Sequence, residues 1–231
     1  MDKSKGFSQL CFWLCSVGDS CLSDDNGDGP HLPPEDLEGE TEEETPEEEI
    51  EPVEILFADG KGYVDSDNAD KISQQGFYGT RLDDGRLELL PVEVMHLLER
   101  KRVVPKSSEN VPVTAESVVS GLLSTVPHLW TDYLVFRDLR SRGYAVRQGF
   151  GGGIGFRVYT RGDKPGGATA SQLIYVLREG EPISLQDLDM VTEAAATARK
   201  KLVFALVDQN GEVNFYRVAR ALLHNRSGDD E

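Results

Sequence analysis

Apolar and polar residues alternate through "VEILFADGKGYVDS" (residues 53–66) on either side of Asp59-Gly60, a pattern that predicts a β-hairpin. In "GFYGTRLDDGRLELLPVEVMHLLERKRV" (76–103) the glycine-flanked aromatics lead to a second Asp-Gly turn at Asp84-Gly85. A helix follows, with Pro91 in its first turn, Val92, Met95 and Leu98 or Leu97 at helical spacing, and Arg100 to Arg102 at its C-terminal end. Thr114 is an N-cap for a further helix reaching Thr125, which completes a small α+β unit. Beyond Pro127, "WTDYLVFRDLRSRGY" places Tyr133, Leu134, Phe136 and Leu139 on one helical side and ends at Gly143. Strands are predicted at about 144–148, 154–160 and 171–178 from alternation, then a helix capped by Ser184. The pair "KLVFALVD" and "EVNFYRV" closes the series around "QNG", giving the order α, β, β, β, α, β, β.

Charge divides the chain differently. The 231 residues carry a net charge of −17, and residues 1–51 hold 16 acids against 2 lysines. The run "EDLEGETEEETPEEEIE" (35–51) has eleven acids and almost nothing apolar, so burial cannot offset its chain entropy. It is expected to be a disordered acidic arm. Residues 129–226, by contrast, carry 14 bases against 10 acids, a mild excess compatible with a polyanionic ligand.

Cys11, Cys15 and Cys21 all fall in the leader, at spacings that match no zinc motif, so the folded part is expected to have neither a disulfide framework nor a metal site. "LCFWLCSV" (10–17) is too short and lacks the cleavage pattern of a signal peptide. No other segment approaches the roughly 18 apolar residues of a membrane span. The protein is expected to be soluble and cytoplasmic. The glycines of "GFGGGIGFRV" (149–158) have no Lys-Ser or Lys-Thr after them and no helix starting there, so they are read as a tight turn rather than a phosphate loop.

Four blocks in order, "GFYGTRLDDGRLELLPVEVMHLLER", "YLVFRDLRSRGYAVRQG", "FRVYTRG" and "ARKKLVFALVDQNGEV", resemble a subunit of the archaeal tRNA-splicing endonuclease, the tRNA-intron lyase family. The resemblance covers about residues 53–220. It implies an N-terminal α+β domain at 53–126 and a nuclease-like mixed α/β catalytic-type domain at 127–224, with leader 1–52 and tail 225–231. It also implies metal-free cleavage, without any cofactor, of a precursor tRNA intron at a bulge-helix-bulge, leaving a 2′,3′-cyclic phosphate and a 5′-hydroxyl. Such chemistry needs a base for the ribose 2′-hydroxyl, an acid for the leaving 5′-oxygen and a cation for the phosphorane. The family assigns these to a tyrosine, a histidine and a lysine.

Carried over by position, the tyrosine is Tyr159 and the lysine is Lys200. The histidine's position falls near Ala170, just before Ser171, and His31, His96, His128 and His224 all lie elsewhere in the sequence. Losing a positioned acid typically costs about 10²- to 10⁴-fold in rate, so this chain alone is expected to cleave weakly or not at all. The resemblance then implies the structural subunit of a heterotetramer, paired with a second, catalytic subunit. The acidic turn that family members insert into a neighbour matches Asp208 and Glu212. Two other readings stand beside this one. In the first, the chain is itself catalytic, its acid replaced by water, Ser171 or a distant histidine; in the second, it is an RNA-binding or assembly protein that has left splicing.

Overall fold

A computed structural model describes residues 51–163 and 165–219. The expected acidic arm, the three cysteines, His31, His224 and the tail lie outside the described residues.

The first hairpin forms as the alternation predicts. Strand β1 (Val53–Ala58) pairs antiparallel with β2 (Lys61–Val64), and Asp59 and Gly60 both take positive φ, 51° and 73°, the backbone of a tight hairpin turn. Helix α1 (Ser66–Gly76) has no comparable signal, since it buries just Ala69 and Ile72 among its apolar side chains. Strands β3 (Thr80–Arg81) and β4 (Leu87–Leu89) flank the second Asp-Gly turn. Helix α2 (Pro91–Glu99) begins at the proline. Strand β5 (Val103–Lys106) runs parallel to β1 at the sheet's edge, where Pro105 removes no needed donor. Helix α3 (Ala115–Thr125) is capped by the Thr114 hydroxyl, which accepts from Ser117 N at 3.3 Å. The five strands lie in the order β3-β4-β2-β1-β5.

The second half follows the predicted element order. It comprises α4 (Leu129–Ser141), β6 (Val146–Gly151), β7 (Ile154–Val158), β8 (Gln172–Arg178), α5 (Leu185–Thr197), β9 (Lys201–Val207) and β10 (Val213–Val218). The sheet order is β10-β9-β8-β7-β6. Every pairing is antiparallel except β8 with β9, whose parallel register requires the crossover through α5. The protein is therefore an α+β protein with a sheet in each half.

Alternation sorts each strand between two faces. Val146, Phe156, Val158, Ile174, Val203, Ala205 and Val207 join the main core with α4, whereas Leu173 and Leu202 join a smaller cluster with Val191 and Ala195 of α5. That main core does not stop at Pro127: it runs from Val53 and Ile55 through α2 and α4 to Val207.

The block "GFYG" (76–79) fastens the two halves together. Tyr78 is buried, with the Arg140 guanidinium 4.4 Å above its ring. Gly79 N donates to Glu93 on one side while its carbonyl accepts from Arg147 on the other. A Cβ at Gly79 would strike Leu87, and its φ of 70° favours glycine in any case.

Candidate active site

Three neighbouring strands bring Tyr159, Ala170-Ser171 and Lys200 to the same end of the second sheet. Tyr159 follows β7 and its N–H donates to Ala145 O at 3.0 Å; Ser171 N donates to Val158 O at 2.8 Å, and Lys201 N to Ser171 O at 3.2 Å. The segment bearing Lys200 is thus two strands away from that bearing Tyr159, about 10 Å between backbones at the usual strand spacing. Lys200 is half-buried where the chain leaves α5. Its N–H donates to Ala195 O at 2.9 Å, after Arg199 turns the backbone with φ 54°.

Most of the Tyr159 side chain is covered. It is 6% exposed and clusters with Ala145 and Ala170, with Phe77 of the first half packed against them. Ala170 is itself 7% exposed, so a methyl group lies against the phenol where the resemblance expects an imidazole. The Ser171 hydroxyl donates to Val158 O at 3.2 Å, which engages its proton. Of the histidines, His96 is buried between Tyr78 and Phe136, and His128 stands at the start of α4.

Tyr159 lines a cavity of about 350 Å³ with Thr80, Leu90, Glu93, Arg147 and Arg157; Lys200 is not among the lining residues. Arg147 and Arg157 face each other in register across β6 and β7. Glu93, 2% exposed, accepts from Gly79 N at 3.0 Å and from Leu90 N at 2.9 Å. Burial pushes the Glu93 carboxyl above its ordinary pKa, opposed by those two N–H groups and by the charges of Arg147 and Arg140. Burial also lowers the Arg147 guanidinium, opposed by Glu93 and then Tyr159. Arg147, Arg157 and Glu93 stand within the recognisable blocks, yet none is conspicuous there, because strand register and helix packing are what bring them to the tyrosine.

The expected interface residues share one turn. Asp208 Oδ1 accepts from Asn210 N at 2.9 Å and Glu212 N at 2.8 Å, so this carboxylate braces its own loop, while Glu212 is exposed. A second cavity, of about 330 Å³, opens beside the start of α4 and is lined by His128, Thr131, Asp132, Arg178 and Glu181 among others. Burial pushes Asp132 up to about 6, opposed by His128 and Arg178. Among the described residues, no group of three or more His, Cys, Asp or Glu could hold a metal ion, and no helix is long and apolar enough to cross a membrane.

Comparison with known proteins agrees with this layout. Residues 53–119 match the family model for the tRNA intron endonuclease N-terminal domain, and residues 129–215 match that for its catalytic C-terminal domain. The tRNA-splicing endonuclease of Methanothermobacter thermautotrophicus is 33% identical over 150 residues, covering 65% of this chain and 86% of the relative. That of Thermococcus gammatolerans is 30% identical over 155 residues, covering 65% and 90%. That of Methanococcoides burtonii is 35% identical over 148 residues, 64% of this chain but 41% of the relative, so this chain spans less than half of that longer protein. The chain belongs to the tRNA intron endonuclease family.

Proposed function

We propose, proceeding from that membership, that this chain is the structural, RNA-positioning subunit of a tRNA-splicing endonuclease, with domains at 53–126 and 127–224. Its substrate is a precursor tRNA with a bulge-helix-bulge intron, cut to a 2′,3′-cyclic phosphate and a 5′-hydroxyl by a partner subunit that carries the full tyrosine, histidine and lysine set. The observation that carries this reading is Ala170 packed against a buried Tyr159. Ala170 has no proton to give a leaving 5′-oxygen, and among the described residues no histidine joins the Tyr159 cluster or lines its cavity. Ser171 is a poor substitute acid, because its hydroxyl already donates to the Val158 carbonyl.

Within this reading Tyr159 keeps the pocket's shape, Lys200 keeps a positive charge at the same end of the sheet, and the Asp208–Glu212 turn docks on a neighbouring subunit. The test is cleavage of a bulge-helix-bulge RNA by the purified full chain, alone and mixed with a family subunit bearing the complete triad. The expected result is cleavage in the mixture, at least 100-fold faster than by this chain alone. Efficient cleavage by this chain alone, abolished by Tyr159→Phe, would overturn the reading and assign it the catalysis.

A further inference from the structure

Beside the Tyr159 cavity, which Gly149 and Arg157 line, strand β6 holds an aromatic side chain that the fold does not use. Phe150 is 67% exposed, and the Arg157 guanidinium lies 4.7 Å from its ring centroid. The hairpin that presents it is tightly built. A Cβ at Gly149 would collide with the Ile154 carbonyl, so the backbone there is pressed against the opposite strand. Ordering an exposed phenylalanine on a rigid hairpin contributes little to stability.

The charge beside it is equally uneconomical for the fold alone. Arg157 stands directly across from Arg147, and like charges so placed in a sheet are destabilising. Arg147 is offset by buried Glu93 and by the Gly79 carbonyl. Arg157 has no such counterpart: its Nε donates to Gln148 O at 2.7 Å, and among the described residues no carboxylate pairs with it. Helix α5 covers the sheet face at Leu173 and Leu202, on the same side as Arg157, and packs mainly on β9 rather than on β6 or β7. What results is an aromatic ring with one face held by a cation that itself lines the cavity containing Tyr159, its remaining N–H donors without a carboxylate among the described residues.

We propose that Phe150 and Arg157 form a nucleotide-holding contact, in which an unpaired base of the RNA stacks on the free face of Phe150 and an adjoining phosphate takes the spare N–H groups of Arg157. This contact rests on the functional reading above and adds to it the residues that select an unpaired nucleotide over a paired one. Stacking on an aromatic ring needs a base that can leave its helix, and a guanidinium suits a phosphate oxygen.

The test measures binding of the full chain to a bulge-helix-bulge RNA and to a fully paired duplex of the same length. Phe150→Ala is expected to weaken binding of the bulged RNA about 5- to 150-fold, the range of one stacked base, and to leave the duplex unchanged. Phe150→Trp restores it. Replacing the bulge nucleotides with abasic sites removes the difference between wild type and Phe150→Ala. Arg157→Ala lowers the slope of log affinity against log salt by about one for the bulged RNA. A wild-type preference for the bulged RNA that survives Phe150→Ala overturns the contact and spares the functional reading. A wild-type chain with no preference for the bulged RNA overturns both.

Discussion

Two helices cover opposite faces of the second sheet, and they are built to different ends. Helix α4 buries Leu129, Tyr133, Leu134, Val135, Phe136 and Leu139 and packs against α2 of the first half as well as its own sheet. Helix α5 buries two side chains, Val191 and Ala195, and leaves Leu185 84% and Met190 52% exposed. The first is a shared wall that makes two family domains into one core. The second is a light cover over the parallel crossover, and because it is narrow the sheet edge around Arg157 and Phe150 stays accessible. Stability therefore concentrates on one face of the sheet and the polar chemistry on the other.

The strongest challenge to that division is Phe136→Ala. The side chain is 2% exposed and touches the rings of His96 and Phe156, so its removal is expected to cost about 3–5 kcal/mol in denaturant unfolding. A loss below about 1 kcal/mol would show that α4 is no more a wall than α5. Next comes Glu93→Leu, which strips the partner from two buried N–H groups and from Arg147; about 3 kcal/mol should be lost, and the two halves should loosen together in hydrogen exchange. On α5, Val191→Ala deletes two buried methyl groups, and by the value of a buried carbon should cost about 1.5 kcal/mol.

Smaller still is the effect of Asp132→Asn at the start of α4. Burial raises this carboxyl from 3.8 to about 6 in the folded protein, so the folded state binds more protons than the unfolded one between those values. Stability consequently falls as pH rises from about 4 to about 6, and stays lower above. Asparagine removes that fall. The variant should gain about 1 kcal/mol at pH 8, a partly exposed site being screened, and nothing below pH 4. Thermal unfolding across that range checks both magnitude and sign. Leu185→Ser, on the exposed end of α5, should change stability by less than about 0.5 kcal/mol.

Helix α4 and the pair β9–β10 could be read in advance, because each is a local pattern long enough to declare its period, with a terminal glycine or turn to end it. Helix α1 could not: "SDNADKISQQG" has few apolar residues, and its place is fixed by Ala69 and Ile72 meeting a core made elsewhere. The same contrast holds at the candidate site. Tyr159, Lys200 and the expected absence of a histidine near Ala170 come from recognisable blocks. Arg147 opposite Arg157, and Glu93 below them, emerge from strand register and from a helix of the other half.

The sequence by itself determined the order of elements in the second half, most turns and caps, the family, and the expectation that Ala170 stands where the resemblance puts a histidine, since each rests on residue identity or short-range spacing. Tertiary structure alone decided that Tyr159 packs with Phe77 and Ala170, that Arg157 has no carboxylate partner among the described residues, and that Phe150 is presented beside it. Those features depend on contacts between segments up to about eighty residues apart in the chain, as Phe77 and Tyr159 are. Packing and register set such contacts, and no local pattern encodes them.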